Sequence, residues 1–140
     1  MADTAKTRPG TIHLIDALQY RLPLAGVVSI LHRASAAILF VLLPFVIWMF
    51  DASVTSEISF SRFTSAFVAG LGFVPAWLVK LAVLALIWSY LHHFIAGLRH
   101  LWMDATHNVS KEFGRQSAVF TLALSGLLTV LLGARLFGLY

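Results

Sequence analysis

The chain has 140 residues, 59% of them hydrophobic and only 11% charged, and its mean hydropathy of +0.86 lies beyond what water-soluble domains of this size show. Its formal charge of +4 comes from ten Lys and Arg standing singly, which excludes the basic runs and aromatic-interleaved patches that bind nucleic acid. Cysteine is absent, which excludes disulfides, thiolate ligation of zinc or iron–sulfur clusters, and a cysteine nucleophile.

The polar start, Met1 to about Arg21, carries Asp3, Lys6, Arg8 and Asp16, with no short apolar core followed by a small-residue cleavage site, so no signal peptide is expected. A first apolar segment runs from about 23 to 50, broken only by Ser29, His32, Arg33 and Ser35 in its first half. A connection rich in Ser and Thr, Asp51 to Gly72, leads to a second segment at about 74–103, with Pro75 suited to a first helical turn and Lys80 near that end. A second connection, Asp104 to Gln116, carries His107, Asn108, Lys111, Glu112 and Arg115, and a third apolar segment follows at about 117–139. At about 1.5 Å per residue each segment crosses a hydrocarbon core of roughly 30 Å with some tilt. The expected fold is all-α, an integral membrane bundle of three transmembrane helices forming one membrane-anchor domain over residues 1–140. No length remains for a soluble catalytic domain.

Lys6, Arg8 and Arg21 precede the first segment and Lys111 and Arg115 follow the second, against Arg62 in the first connection. Positive charge gathers on the cytoplasmic side, so the N-terminus and second connection are expected there, with the C-terminus outside. Lys80 and Arg135 then lie near the outer surface as snorkelling anchors.

Ionisable groups within a span cost a few kcal/mol each, so they face a cavity, cofactor or partner. Ser29, His32 and Arg33 form one such cluster; His92, His93, Arg99, His100 and Asp104 form another. Both lie in the cytoplasmic halves of their spans. His32 stands nine residues in from Pro23 and His93 eleven before Asp104, so their depths are comparable and the clusters can meet. Ser29 and Arg33 share a helical face; His93, Gly97, His100 and Asp104 form a stripe, and His92 and Arg99 an adjoining one. Gly97 reads either as a helix contact or as clearance for a flat macrocycle. A neutral imidazole in a span is a ready axial ligand for haem iron, and Arg or His nearer the surface neutralises propionates. Three His and an Arg within nine residues favour a cofactor over packing. Zinc is disfavoured, with no Cys and no His-Glu grouping. Depth alone leaves His32 as well as His93 open as the ligand, and a proton-relaying transporter or a cofactor-free anchor as rival functions.

At these residues the chain resembles the cytochrome b membrane anchor of succinate dehydrogenase, respiratory complex II. The resemblance lies in Ser29-Ile30-Leu31-His32-Arg33-Ala34-Ser35, in His93-Phe94-Ile95-Ala96-Gly97-Leu98-Arg99-His100 followed by Asp104, in Arg8-Pro9, and in Tyr20-Arg21-Leu22-Pro23. It implies that His93 is the axial ligand of a b-type haem whose second ligand comes from a partner, and that Ser29 and Arg33 bind ubiquinone. It further implies that His32, Arg33 and His100 lie near the haem propionates and that Asp104 is an acid of the quinone region. The implied partners are a second small membrane anchor, an iron–sulfur protein and a flavoprotein, assembled in the lipid bilayer of a bacterial inner membrane, or, less expected, a mitochondrial one. A fumarate reductase anchor is the nearest rival. Two departures are Ala36, where the family commonly has Gly, and a longer stretch between Arg8-Pro9 and Tyr20-Arg21, which leaves His13 without a role. His92 is expected to pack or hydrogen-bond, and His107 to be solvated.

Overall fold

The computed structural model describes residues 22–140, so Lys6, Arg8-Pro9, His13 and Tyr20-Arg21 lie outside the described residues. Among the described residues five helices follow one another: α1 (Leu24–Val41), α2 (Leu43–Val54), α3 (Glu57–Ala66), α4 (Ala76–Thr106) and α5 (Lys111–Leu136). No strand forms among the described residues beyond an isolated Leu71–Val74 bridge. Three helices, α1, α4 and α5, are long and apolar enough to cross a membrane. The all-α reading with three spans therefore holds, and the protein is a membrane protein.

The helix limits depart from the expected ones for local reasons. The segment expected at 23–50 is divided at Leu42, because Pro44 has no N–H for the carbonyl four residues back and its ring crowds that carbonyl. The Ser- and Thr-rich connection holds α3, started by a capping box in which Ser56 and Ser59 bond each other's backbone N–H. Pro75 stands just before α4 as its N-cap, with extended φ and ψ. The same helix ends at His107, whose φ of 53° is left-handed. At the other connection the Ser110 hydroxyl accepts from the Phe113 N–H at 3.3 Å, so α5 begins at Lys111, ahead of its apolar run.

Both α4 and α5 pack against α1 and against each other, while α2 packs on α3. The buried centre is small, made of Val28, Ala96 and Ala118 with Leu122 against them. Large side chains such as Phe40, Leu101 and Val130 face outward, as expected where lipid is as apolar as leucine and helices associate by close approach. A Cβ on Gly133 would stand 2.9 Å from Leu84 Cδ1, which shows how near α5 comes to α4. At that same end Lys80 Nζ lies 5.6 Å from the centre of the Phe137 ring, and Arg135 donates to the Tyr140 carbonyl at 2.7 Å.

Candidate functional site

The two polar clusters meet. His32 on α1 and His93 on α4 stack with ring centroids 4.2 Å apart and planes 14° from parallel, and His100, two turns further along α4, has its centroid 5.3 Å from that of His32. Comparable depth along antiparallel spans, read from residue counts, is what allows this contact. His93 Nδ1 lies 3.2 Å from the His32 carbonyl and 3.3 Å from Ser35 Oγ, so α1 grips the ring by one nitrogen. His93 is half-buried. His32 Nε2 is buried with no hydrogen-bond partner among the described residues, and a Cβ added at Gly97 of α4 would lie 3.7 Å from it. The notch at Gly97 thus receives the His32 imidazole, a helix contact, and the nitrogen that would make His32 a ligand faces into the bundle.

The remaining residues of the first cluster point elsewhere. Ser29 is half-buried and Arg33 exposed, so the guanidinium leaves the bundle instead of entering it. Asp104 is exposed in the last turn of α4 and His100 is half-buried above His32. The three imidazoles do not form a metal site by themselves, since no group of three or more His, Cys, Asp or Glu able to hold an ion occurs among the described residues. A groove of about 1100 Å³ runs between α4 and α5, lined by residues including Tyr90, Phe94, Leu98, Arg99, Ser117 and Phe120. Of the residues in the two polar clusters it contains Arg99 alone, and neither His93 nor Ser29 nor Arg33.

A profile of the family described as succinate dehydrogenase/fumarate reductase transmembrane subunit matches residues 5–132. The succinate dehydrogenase cytochrome b556 subunit of Paracoccus denitrificans is 33% identical over 132 residues, covering 94% of each chain. Its counterpart from Coxiella burnetii is 30% identical over 119 residues, 85% of this chain and 90% of that one. The chain belongs to this family.

The bonds of Arg99 escape the sequence reading, whereas His92 packs and hydrogen-bonds as expected, with a partner the sequence does not name. Arg99, 8% exposed, donates through Nε to Ser117 Oγ at 2.9 Å and through Nη2 to the Gly114 carbonyl at 3.3 Å, pinning α4 to α5. His92 is fully buried, with Nδ1 3.2 Å from Ser125 Oγ and its ring stacked on Trp88 at 5.5 Å. The signal was present on α5: Ser117, Thr121, Ser125 and Thr129 recur every four residues, a polar stripe facing the His92–Arg99 stripe of α4. Thr121, Ser125 and Thr129 each donate to the carbonyl four residues back, at 2.9, 2.7 and 2.7 Å. Ser35 was visible as a polar residue of the first span but carried no assigned role.

The residues present fit a haem: the donor offered is one nitrogen of the half-buried His93 imidazole, whose other nitrogen is held by backbone and hydroxyl oxygens, the usual arrangement around a metal-bound histidine.

Proposed function

We propose that this subunit anchors a succinate dehydrogenase in the membrane, gives His93 as one axial ligand to a b-type haem, and forms part of the ubiquinone-reduction site with Ser29 and Arg33. The observation that carries the reading is the grip on His93: one nitrogen tied to α1, the ring stacked on His32, and the residue half-buried at the edge of the bundle. The relatives' name, cytochrome b556, supports the haem. A bound haem supplies a one-electron carrier within the membrane. The chain's own residues would position it: His93 by ligation, Arg33 and His100 from the propionate side, and His32, in the propionate vicinity, through its stack on His93.

The second axial ligand would come from another chain, the second small anchor, a reading supported by the enclosure of His32 Nε2 beside Gly97. Flavin and iron–sulfur clusters belong to peripheral partners, because this chain has no cysteine to hold clusters. At the quinone, Arg33 would hold and polarise a carbonyl oxygen and the Ser29 hydroxyl would donate to the ring system, with Asp104 near the same surface. Arg33 is exposed in a span, a position that costs energy unless a ligand or partner meets it. The α4–α5 connection, Asp104 and the N-terminus would lie on the cytoplasmic side of a bacterial inner membrane, an orientation supported by Lys6, Arg8, Arg21, Lys111 and Arg115 against Arg62 in the other connection. Succinate oxidation is favoured over fumarate reduction by the names of both relatives.

The test is a dithionite-reduced minus oxidised spectrum of the purified complex. A b-type band should appear in the wild type and persist in His32→Ala, and should vanish in His93→Ala. A band that survives His93→Ala and disappears in His32→Ala overturns the assignment.

A further inference from the structure

Between α1 and α4 lies a hydroxyl with no part in the function proposed above. Ser35 follows His32 by three residues and is fully buried at 0% exposure. Its Oγ donates to the His32 carbonyl at 2.7 Å, a bond any helical serine can make. The same oxygen is 3.3 Å from His93 Nδ1, and that nitrogen is 3.2 Å from the His32 carbonyl. Hydroxyl, carbonyl and ring nitrogen close a triangle.

Counting protons in the triangle fixes the tautomer. A carbonyl oxygen only accepts, and the single Ser35 proton is committed to it at the shortest of the three distances, 2.7 Å. Both oxygens facing His93 Nδ1 are therefore acceptors. Nδ1 must carry the proton and share it between them, which leaves the lone pair on Nε2.

We infer that Ser35 is a positioning residue for the haem ligand: with the His32 carbonyl, its hydroxyl sets the tautomer and rotation of His93 and thereby tunes the haem potential. This rests on the reading of His93 as the axial ligand. One acceptor at 3.2 Å tethers a ring but lets it turn about the bond; a second acceptor at 3.3 Å fixes the ring plane. Acceptors on Nδ1–H also draw the imidazole toward imidazolate character, strengthen Nε2 as a donor and favour the ferric state, which lowers the potential. Alanine at 35 would keep the close approach of the helices and lose the second acceptor.

The experiment isolates the complex with Ser35→Ala and with Ser35→Thr, and measures haem content, midpoint potential by redox titration, and the low-spin ferric EPR signal. Ser35→Ala should hold haem at wild-type stoichiometry with a raised potential and altered EPR signal, and Ser35→Thr should return both toward wild type. A purely packing role predicts neither change, since Ser→Ala removes one oxygen and no carbon. Unchanged potential and EPR signal in Ser35→Ala overturn the inference. If Ser35→Ala assembles without haem while Ser35→Thr retains it, the hydroxyl is needed for ligation and the inference stands; haem lost from both overturns it. His93→Ala separates the two levels. Haem retained there removes the axial reading and the role of Ser35 together, whereas haem lost there with Ser35→Ala unchanged removes the role of Ser35 alone.

Discussion

Helix α4 carries two adjoining polar stripes, and the helices they meet treat them differently. Toward α5, His92 and Arg99 are buried at 0% and 8% exposure, and Arg99 has its Nε and Nη2 bonded within the chain. Toward α1, His93 and His100 stay half-buried, and the hydrogen bonds of His93 run through a single nitrogen. Residues 92 and 93 are neighbours in sequence, yet about 100° of helical rotation separates a structural histidine from the proposed ligand. What distinguishes them is burial: His92, bonded through Nδ1 alone and with Nε2 enclosed, is shut inside a helix contact, whereas the half-buried stripe toward α1 stays at the edge, where a second molecule can reach it.

The strongest way to sharpen that contrast is to remove the structural histidine. His92→Ala deletes a ring buried among α4, α5 and Trp88 and should cost about 2–4 kcal/mol of stability, by analogy with other large-to-Ala core changes. The assembled complex should melt at a lower temperature in detergent while its reduced b-type band keeps position and amplitude per complex. Loss of haem from a His92→Ala complex that still assembles would mean the two stripes are not separate in function.

How much of this was legible beforehand follows from what periodicity carries. Composition and segment length gave three spans, and counting residues inward brought His32 to the depth of His93. The break at Leu42 is readable from Pro44, although the apolar run continues across it, and α3 is readable from Ser56 and Ser59, although so many Ser and Thr read first as a connection. Spacing sorts residues onto stripes without saying which helix each stripe meets. Hence His92 and Arg99 could be grouped but not matched to Ser125 and Ser117. The role of Ser35 lay beyond sequence altogether, since it exists only where α1 and α4 touch.

A middle-sized effect tests the outward face of α1. Arg33→Leu removes an exposed charge from a span, which for a purely structural residue should leave the complex as stable or steadier. Succinate-dependent reduction of a soluble dye taking electrons from peripheral subunits should survive. Ubiquinone reduction should fall tenfold or more, on the order of 1.4 kcal/mol in the barrier. Unchanged quinone reduction in a fully assembled complex would remove Arg33 from the quinone site, and loss of both activities would point to failed assembly.

The smallest effect is the most discriminating, because it sets two serines in similar roles against each other. Ser125 and Ser35 are both fully buried, both donate to a carbonyl of their own helix at 2.7 Å, and both stand near the Nδ1 of an α4 histidine, at 3.2 and 3.3 Å. Ser125→Ala takes from His92 its one hydrogen bond to α5 but leaves the stack on Trp88. Hydrogen bonds between membrane helices average about 0.6 kcal/mol, so a drop of that size in stability is expected, near the limit of a thermal melt. The haem potential should not move, because the proposed ligand is His93 and the Ser125 hydroxyl bonds His92 instead. A shift in Ser125→Ala equal to that in Ser35→Ala would show that any loosening of α4 disturbs the haem, and the distinction between a closed and an open face would fail. A potential that answers to Ser35 and is indifferent to Ser125 ties the tuning to the one nitrogen of His93 held by α1.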